Sequence, residues 1–245
     1  LNLGYSISAV AVMDRPNVPN WIATSWYMAV TVIFFAMVIS EDTAARLDML
    51  RRGLVVGAVI AALAGIAGYF NLVPGGRDLL TLYDRARGTF KDPNVYGAFL
   101  ILPALLALQS VVSDKFGKSL RSAIAFGIIS LAILLAFSRA AWGMLILTSG
   151  AMLALMVLTS RSQSQRSRII VMALVVVVLA AALVAVLLSF DSISQLFKQR
   201  ASFDQSYDEG RFGRFGRHIL GAEMALGLPF GIGPLQFNRY FPEDT

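Results

Sequence analysis

Three arginines spaced three residues apart, Arg211, Arg214 and Arg217, are the clearest candidates for chemistry in this sequence. On an α-helix this spacing places all three guanidinium groups on one face. Gly213 and Gly216 disfavour a stable helix, and the alternative is a loop that exposes backbone N–H groups beside the arginines. Either form suits a phosphate or pyrophosphate, because guanidinium offers a planar fork of hydrogen-bond donors. A solvated basic loop, or arginines at lipid headgroups, would explain the spacing without a ligand.

Arg139 is the only charged residue between Ser122 and Ser160. A charge at the middle of a membrane-spanning helix costs roughly 2.5–3.5 kcal/mol, so such residues tend to line cavities or bind ligands. The alternative is an arginine at a helical turn that extends to the headgroups. The stretch is too long for one helix, so it predicts two spans joined by a tight turn at Ser138 and Arg139.

The remaining candidates carry weaker signals. Arg85 and Arg87 lie in a polar loop, followed by GTFKDPN (88–94), whose Asp-Pro-Asn triplet is typical of a helix start. The segment PFGIGP (229–234) lacks the Lys-Ser/Thr ending of a nucleotide phosphate loop. His218 adjoins the arginines, but a lone histidine there is more often a packing or headgroup residue than a catalytic base. Four acidic residues are possible bases without a diagnostic spacing: Asp204, Asp208, Glu209 and Glu223.

The composition indicates a polytopic membrane protein. The 245 residues are 57% hydrophobic and 15% charged, whereas soluble domains have about 45–50% apolar and about 25% charged residues. The net charge of +6 is distributed among several loops, and no basic run is interleaved with aromatic residues as nucleic-acid binding would require. With no cysteine and one histidine, disulfides and thiolate chemistry are excluded, and a zinc or di-iron site is not expected.

The apolar runs predict an all-α, polytopic transmembrane bundle with a large extracytoplasmic loop that contains short helices. A bilayer needs about 20 apolar residues per helix. The transmembrane region is predicted over 1–190 and the loop over 191–245. Residues 1–12 are expected to be the end of a truncated span, and 219–228 a short amphipathic helix before Pro229. The predicted spans are 21–40, 54–73, 94–112, 122–137, 141–159 and 169–190.

The distribution of basic residues predicts the orientation. Segments 41–52, 113–121 and 160–168 are short and charged and together carry nine Lys and Arg residues, so the positive-inside rule makes them cytoplasmic. The loop 71–94, the turn at Arg139 and the segment 191–245 then share the outer face. Arginines there run against the topological bias, which favours a functional reason for keeping them.

Four features together resemble the O-antigen ligase and O-antigen polymerase superfamily of bacterial inner-membrane glycosyltransferases. They are GTFKDPNVYGAFL (88–100), LLAFSRAAWGMLIL (134–147), GRFGRHILGAEMALGLPFGIGPLQF (213–237) and the order of spans between them. Each segment is short and degenerate, and the specificity comes from their order, spacing and common side. The resemblance covers most of the chain from about residue 80.

This resemblance implies a metal-independent enzyme without a cofactor, acting at the periplasmic face of the bacterial inner membrane. Such enzymes transfer a glycan from undecaprenyl pyrophosphate to an acceptor, which is lipid A core for ligases and another lipid-linked repeat for polymerases. The catalytic arginines would be Arg139 and Arg214. We expect Arg211, Arg217, Arg85 and Arg87 to contribute to substrate binding on the same face. No nucleic-acid partner is expected.

The sequence departs from the family pattern at His218, where the family has an aromatic residue four positions after the second arginine. The family's catalytic histidine follows later in the same loop, in a His-Asn pair, and no such pair precedes Thr245. The chain begins with Leu and ends in a polar segment. We therefore expect an internal fragment that lacks the catalytic base and is inactive by itself.

Two other classes remain open from the sequence. A transporter or flippase for a lipid-linked glycan could use the same arginines to hold a headgroup in transit, and a non-catalytic helical scaffold needs no ligand at all. Transporters tend to have Gly/Pro-broken spans at corresponding positions of two halves, a symmetry that this sequence lacks. The sequence does not distinguish ligase from polymerase, nor does it identify the sugar, the acceptor or the oligomeric state.

Overall fold

The computed structural model describes residues 1–114, 116–201, 214–228 and 230–240. The described chain is mostly helical, with one short 3-10 helix at Val10–Val12 and one small hairpin. In chain order the α-helices are α1 (Asn2–Ala9), α2 (Val18–Glu41), α3 (Thr43–Tyr69), α4 (Gly76–Leu80), α5 (Pro93–Ser113), α6 (Phe116–Leu135), α7 (Arg139–Thr159), α8 (Gln163–Leu188), α9 (Asp191–Ala201), α10 (Arg214–Gly227) and α11 (Phe237–Tyr240).

Six of these helices, α2, α3 and α5 to α8, are long and apolar enough to cross a bilayer. Apart from α5, which is half buried in the bundle, their apolar side chains lie largely exposed on the protein surface, as expected where lipid is the solvent. The chain is therefore a multi-pass membrane protein with an all-helical bundle, which agrees with the predicted class.

The hairpin is the one departure from all-helical structure that the described residues show. Strands β1 (Thr81–Leu82) and β2 (Arg85–Ala86) pair antiparallel. The two residues between them, Tyr83 and Asp84, have φ values of 52° and 57°. Positive φ at both central positions is the signature of a type I′ turn, whose twist matches that of the flanking strands.

Helix α3 begins much earlier than the sequence predicts, because segment 41–52 is helical from Thr43. Asp42 caps this start, with its Oδ1 accepting a hydrogen bond from the Ala45 amide at 3.2 Å. Asp48 then forms ion pairs with Arg51 and Arg52, three and four residues further on. The charges that indicated a loop instead stabilise the first turns of the helix.

In segments 113–121 and 160–168, helix also replaces part of the predicted loop. Helix α6 begins at Phe116, and α8 begins at Gln163 after Ser162, whose hydroxyl caps the Gln165 amide. Ser119 in α6 donates a hydrogen bond to the Val111 carbonyl of α5 at 2.7 Å. This bond ties the two helices together across their short connection.

The orientation predicted from the basic segments can be measured by cysteine labelling, because the chain has no cysteine of its own. Ser164 is exposed in the first turn of α8, and Tyr83 is 75% exposed in the hairpin. We expect an impermeant thiol reagent to label the Tyr83→Cys variant, and not the Ser164→Cys variant, in intact spheroplasts. The reverse pattern would overturn the predicted orientation, and labelling of both variants after lysis is the control.

The chain forms two compact units. One comprises Leu47–Ser202, and the other Leu1–Arg46 together with Phe203–Thr245. The core of the first unit is built from α3, α5, α6 and α7, with many alanines at the helix contacts. Small residues let helix backbones approach closely in membranes, where van der Waals packing drives association.

In the second unit, α1 packs on α2 through polar as well as aromatic contacts. The Asn2 amide donates to the Ser25 carbonyl at 2.8 Å, and the Trp26 indole donates to the Ser6 hydroxyl at 2.9 Å. Gly233, within PFGIGP, has φ +84°, and a Cβ there would lie 2.5 Å from Cγ2 of Val12. This glycine is therefore needed for close packing on the segment after α1.

Candidate functional site

The turn that carries Arg139 is sharply defined. Helix α6 ends at Leu135, and Phe137 takes a left-handed conformation with φ 46° that stops it. Ser138 is extended and begins α7, with its hydroxyl accepting from the Ala141 amide at 3.4 Å. Arg139 is the first residue of α7 and is half-buried. The arginine thus stands at a helix N-terminus, where the helix dipole favours an anion.

Arg85 fixes the position of this turn. It is only 7% exposed. Its Nε donates to the Ala136 carbonyl at 2.8 Å, and its Nη2 donates to the Asn94 side-chain oxygen at 2.9 Å. Asp92 caps α5 by accepting from the Asn94 amide at 2.7 Å. Arg85 therefore links the hairpin, the start of α5 and the end of α6.

The start of α5 also packs directly against the turn. A Cβ added at Gly97 would lie 2.9 Å from the Ala141 Cβ, and 3.8 Å from the Cβ atoms of Ala136 and Ser138. Only glycine permits this approach without a shift of the neighbouring backbone. Two of the segments singled out in the sequence, 88–100 and 134–147, thus meet at one place.

Loss of the Arg85 side chain is expected to destabilise this junction. Its hydrogen bonds are charge-assisted and buried, and each such bond contributes roughly 1.5–3 kcal/mol. Arg85→Ala should therefore lower the midpoint of thermal unfolding in detergent by several degrees. Arg52→Ala, which removes a 76%-exposed arginine side chain from a surface ion pair, is the matched control and should change it little. Equal midpoints for both variants would refute the linking role of Arg85.

A cavity of about 580 Å³ opens beside the junction, within the same unit. Its walls come from the end of α3, from α4, from the hairpin and from α9. The lining includes polar side chains from each of these elements together with aromatic rings. The polar members are Asn71, Arg77, Thr81, Asp84, Gln195 and Gln199, and the aromatic ones are Tyr69, Phe70 and Phe190.

Aromatic contacts connect the cavity wall to the turn. The rings of Tyr69 and Phe137 have centroids 6.1 Å apart, and Phe137 and Trp142 are also 6.1 Å apart. Trp142 stacks on Phe197 of α9 at 5.0 Å, and its indole donates to the Ile133 carbonyl at 3.1 Å. Tyr69, which lines the cavity, is therefore connected through Phe137 to the Ser138–Arg139 turn.

The charges lining the cavity are paired. Arg77 donates to Asp84 at 2.7 Å, and this hydrogen bond, reinforced by the carboxylate's charge, raises the pKa of Arg77 above its usual value. The pair presents hydrogen-bonding atoms without a net charge. Together with amide and hydroxyl groups, it suits a neutral, hydroxyl-rich ligand better than a bare anion.

Arg87, the other candidate of the hairpin region, is half-buried beside β2. Its Nη2 donates to the Leu79 carbonyl at 3.1 Å. Its Nε is buried and has no hydrogen-bond partner among the residues that the structure describes. Arg87 therefore holds α4 against the strand, and its Nε is the unsatisfied donor of this region.

The arginines of the third segment belong to the other compact unit. Positions 214 and 217 are one turn apart in α10, Arg217 is half-buried and His218 is exposed. Arg211 lies outside the described residues, as do Asp204, Asp208 and Glu209. The assignment of Arg139 and Arg214 as the catalytic arginines stays a prediction.

Helix α10 begins at Arg214, five residues before the predicted start, and includes Gly216. Gly216 and Gly221 in its interior each cost about 1 kcal/mol of helix stability relative to alanine. The good helix formers that follow, Ala222, Glu223, Met224 and Ala225, favour the helix despite this cost. The helical alternative for the arginine spacing thus holds for positions 214 and 217.

No group of three or more His, Asp or Glu side chains is arranged to hold a metal ion in the part of the chain that the structure describes. Sequence reasoning missed most of the cavity, including Arg77, Asp84 and Gln195. The sequence did contain one signal for the cavity, because the helical spacing of Gln195 and Gln199 places both side chains on one face of α9.

Comparison of the chain with protein families, with curated proteins and with solved structures finds no match. The candidate site therefore rests on its own geometry.

Proposed function

We propose that the intact protein is a membrane glycosyltransferase that moves a glycan from a polyprenyl pyrophosphate, of the undecaprenyl type, to an acceptor sugar. The observation that carries the proposal is the junction of the two segments 88–100 and 134–147. Arg85, Gly97 and the Ser138 cap together fix the turn that places Arg139 at a helix N-terminus, and Phe137 of the same turn contacts Tyr69 in the wall of the polar cavity.

The reaction needs an electrostatic site for its leaving group. The acceptor hydroxyl oxygen forms a bond to the anomeric carbon, while the bond from that carbon to the pyrophosphate oxygen breaks. Negative charge grows on the departing pyrophosphate, and a preorganised arginine can stabilise it without rearrangement. Arg139, with the N-terminus of α7 beneath it, suits this role, and Arg214 is proposed as the second cation.

The cavity suits the glycan part of the donor. Its amide, hydroxyl and ion-paired groups can hydrogen-bond sugar hydroxyls, while its aromatic rings supply apolar contact. The acceptor hydroxyl must lose its proton to a base. None of the described residues is assigned to that role, and exposed His218 is not proposed for it.

The bacterial inner membrane and the periplasmic face are part of the same proposal. They rest on the orientation expected from the basic segments, and on the use of polyprenyl pyrophosphate donors at that face by the family that the sequence resembles. Lipid A core and a second lipid-linked glycan are the two proposed acceptor classes.

A transfer assay in membranes tests the function directly. Vesicles containing the intact protein are supplied with a radiolabelled lipid-pyrophosphate glycan and an acceptor lipid. We expect label to appear in the acceptor through a new glycosidic bond. Movement of the labelled donor across the vesicle membrane without a new bond would instead establish a transporter.

The cavity variant Gln195→Ala refines this test. Gln195 is exposed on α9 and lines the cavity, so its loss should raise the KM for the donor several-fold with little change in kcat or stability. Lys198→Ala, on the same helix and outside the cavity lining, is the matched control. If the glycan binds elsewhere, both variants should have the wild-type KM for the donor.

A further inference from the structure

A basic groove lies among α3, α5 and α6, at the end of the first unit remote from the Tyr69 cavity. It has a volume of about 490 Å³. Its mouth carries Arg51 and Arg52 in the third turn of α3, and Lys118 and Arg121 in the first two turns of α6. The proposed function makes no use of these residues.

The four cations are only partly neutralised. Asp48 pairs with both Arg51 and Arg52, and Asp114 is the one acidic residue among the described residues that line the groove. Lys118 and Arg121 form no ion pair within the part of the chain that the structure describes. They are three residues apart on α6, both exposed, and therefore face the same way.

The walls change from charged to apolar in the same direction on all three helices. One turn beyond the arginines, α3 presents Val55 and Val56. One turn before Asp114, α5 presents Ser110, and a further turn inward it presents Leu106 and Ala107. Below Arg121, α6 presents Ala125. Helices α3 and α6 run inward from the charged end of the groove, and α5 runs outward toward it. All three therefore have their polar residues at the membrane surface and their apolar residues deeper.

We infer that this groove binds an anionic phospholipid of the surrounding bilayer. The phosphate would lie against Lys118, Arg121 and the α3 arginines, and the acyl chains would follow the apolar wall. Each cation near an anionic headgroup contributes about five-fold in affinity. A free phosphate would match the mouth alone and would leave the apolar wall without an occupant.

The test uses the intact protein in mild detergent with phosphatidylglycerol, phosphatidylcholine or inorganic phosphate as probes. Bound lipids are counted by native mass spectrometry, and the thermal midpoint is followed, since a ligand that binds the folded state raises it. We expect phosphatidylglycerol to be retained and to raise the midpoint. Phosphatidylcholine and inorganic phosphate should do neither to a comparable extent.

The variant Lys118→Gln/Arg121→Gln should bind phosphatidylglycerol at least ten-fold more weakly. Arg161→Gln/Arg166→Gln removes the same charge outside the groove and should leave binding unchanged. If the first pair reduces the yield of folded protein, Lys118→Gln alone gives the same test with a smaller loss. The inference would be overturned if both double variants weakened phosphatidylglycerol binding equally. It would also be overturned if phosphatidylcholine were retained as strongly as phosphatidylglycerol. A midpoint shift by inorganic phosphate equal to the lipid's would reduce the site to an anion site.

Discussion

Glycan transfer is expected to fall at least ten-fold when Arg139 or Arg214 is replaced by alanine in the intact protein. Each arginine would make a charge-assisted contact of roughly 1.5–3 kcal/mol to the pyrophosphate, before any gain specific to the transition state. A loss of about 1.4 kcal/mol already slows a reaction ten-fold. The measurement is transfer in membranes at matched expression of the variants.

Lysine should restore only part of the activity at either position, because it keeps the charge and loses the planar fork of donors. His218→Phe should cost little, since His218 is exposed on α10 and stands where the resembling family has an aromatic residue. Arg161→Ala is the control, as Arg161 is exposed on a segment predicted to face the other side of the membrane. Wild-type transfer by both Arg139→Ala and Arg214→Ala would refute the arginine mechanism.

The number and approximate position of the membrane spans follow from the sequence, because uninterrupted apolar length is the property that a bilayer selects. The helix starts do not follow as well. In segment 41–52 the residues are charged but are also good helix formers with capping and ion-pairing partners. Charge marks where a helix leaves the membrane, and it does not mark where the helix itself ends.

The roles of single residues depend on tertiary contacts that one sequence does not reveal. The burial of Arg85 as a link between Ala136 and Asn94 could not be predicted from the sequence, and its expected contribution to substrate binding stays a prediction. The type I′ turn at Tyr83 and Asp84 escaped prediction because it lacks the Asn-Gly or Asp-Gly signal of such turns. Arg139 was recognisable because a lone charge in an apolar stretch is costly wherever the chain folds.

The cavity could not be found from the sequence, since its walls are brought together from segments up to 130 residues apart along the chain, from Tyr69 to Gln199. No periodicity relates the end of α3 to α9. What joins them is the stacking of Trp142 on Phe197 and the contact of Tyr69 with Phe137. Such contacts depend on the order in which helices pack, which local patterns do not encode.

The contact between Gly97 and Ala141 allows the junction itself to be tested by a compensating pair. Gly97→Ala places a Cβ 2.9 Å from that of Ala141, so α5 and the Ser138–Arg139 turn must separate. Overpacking of this kind typically costs about 1–3 kcal/mol. We expect a lower thermal midpoint and, because Arg139 moves with the turn, a loss of transfer activity larger than the loss of folded protein.

Adding Ala141→Gly to Gly97→Ala removes the opposing methyl group and should restore much of both properties. Ala141→Gly alone should be only mildly destabilising, by about 1 kcal/mol, from its helix propensity. The interaction term of this double-mutant cycle should therefore be favourable. Gly127→Ala provides the control, since a Cβ there meets no atom within 4 Å. If Gly97→Ala behaves like Gly127→Ala in stability and in transfer, the packing of α5 on the arginine turn does not position the site.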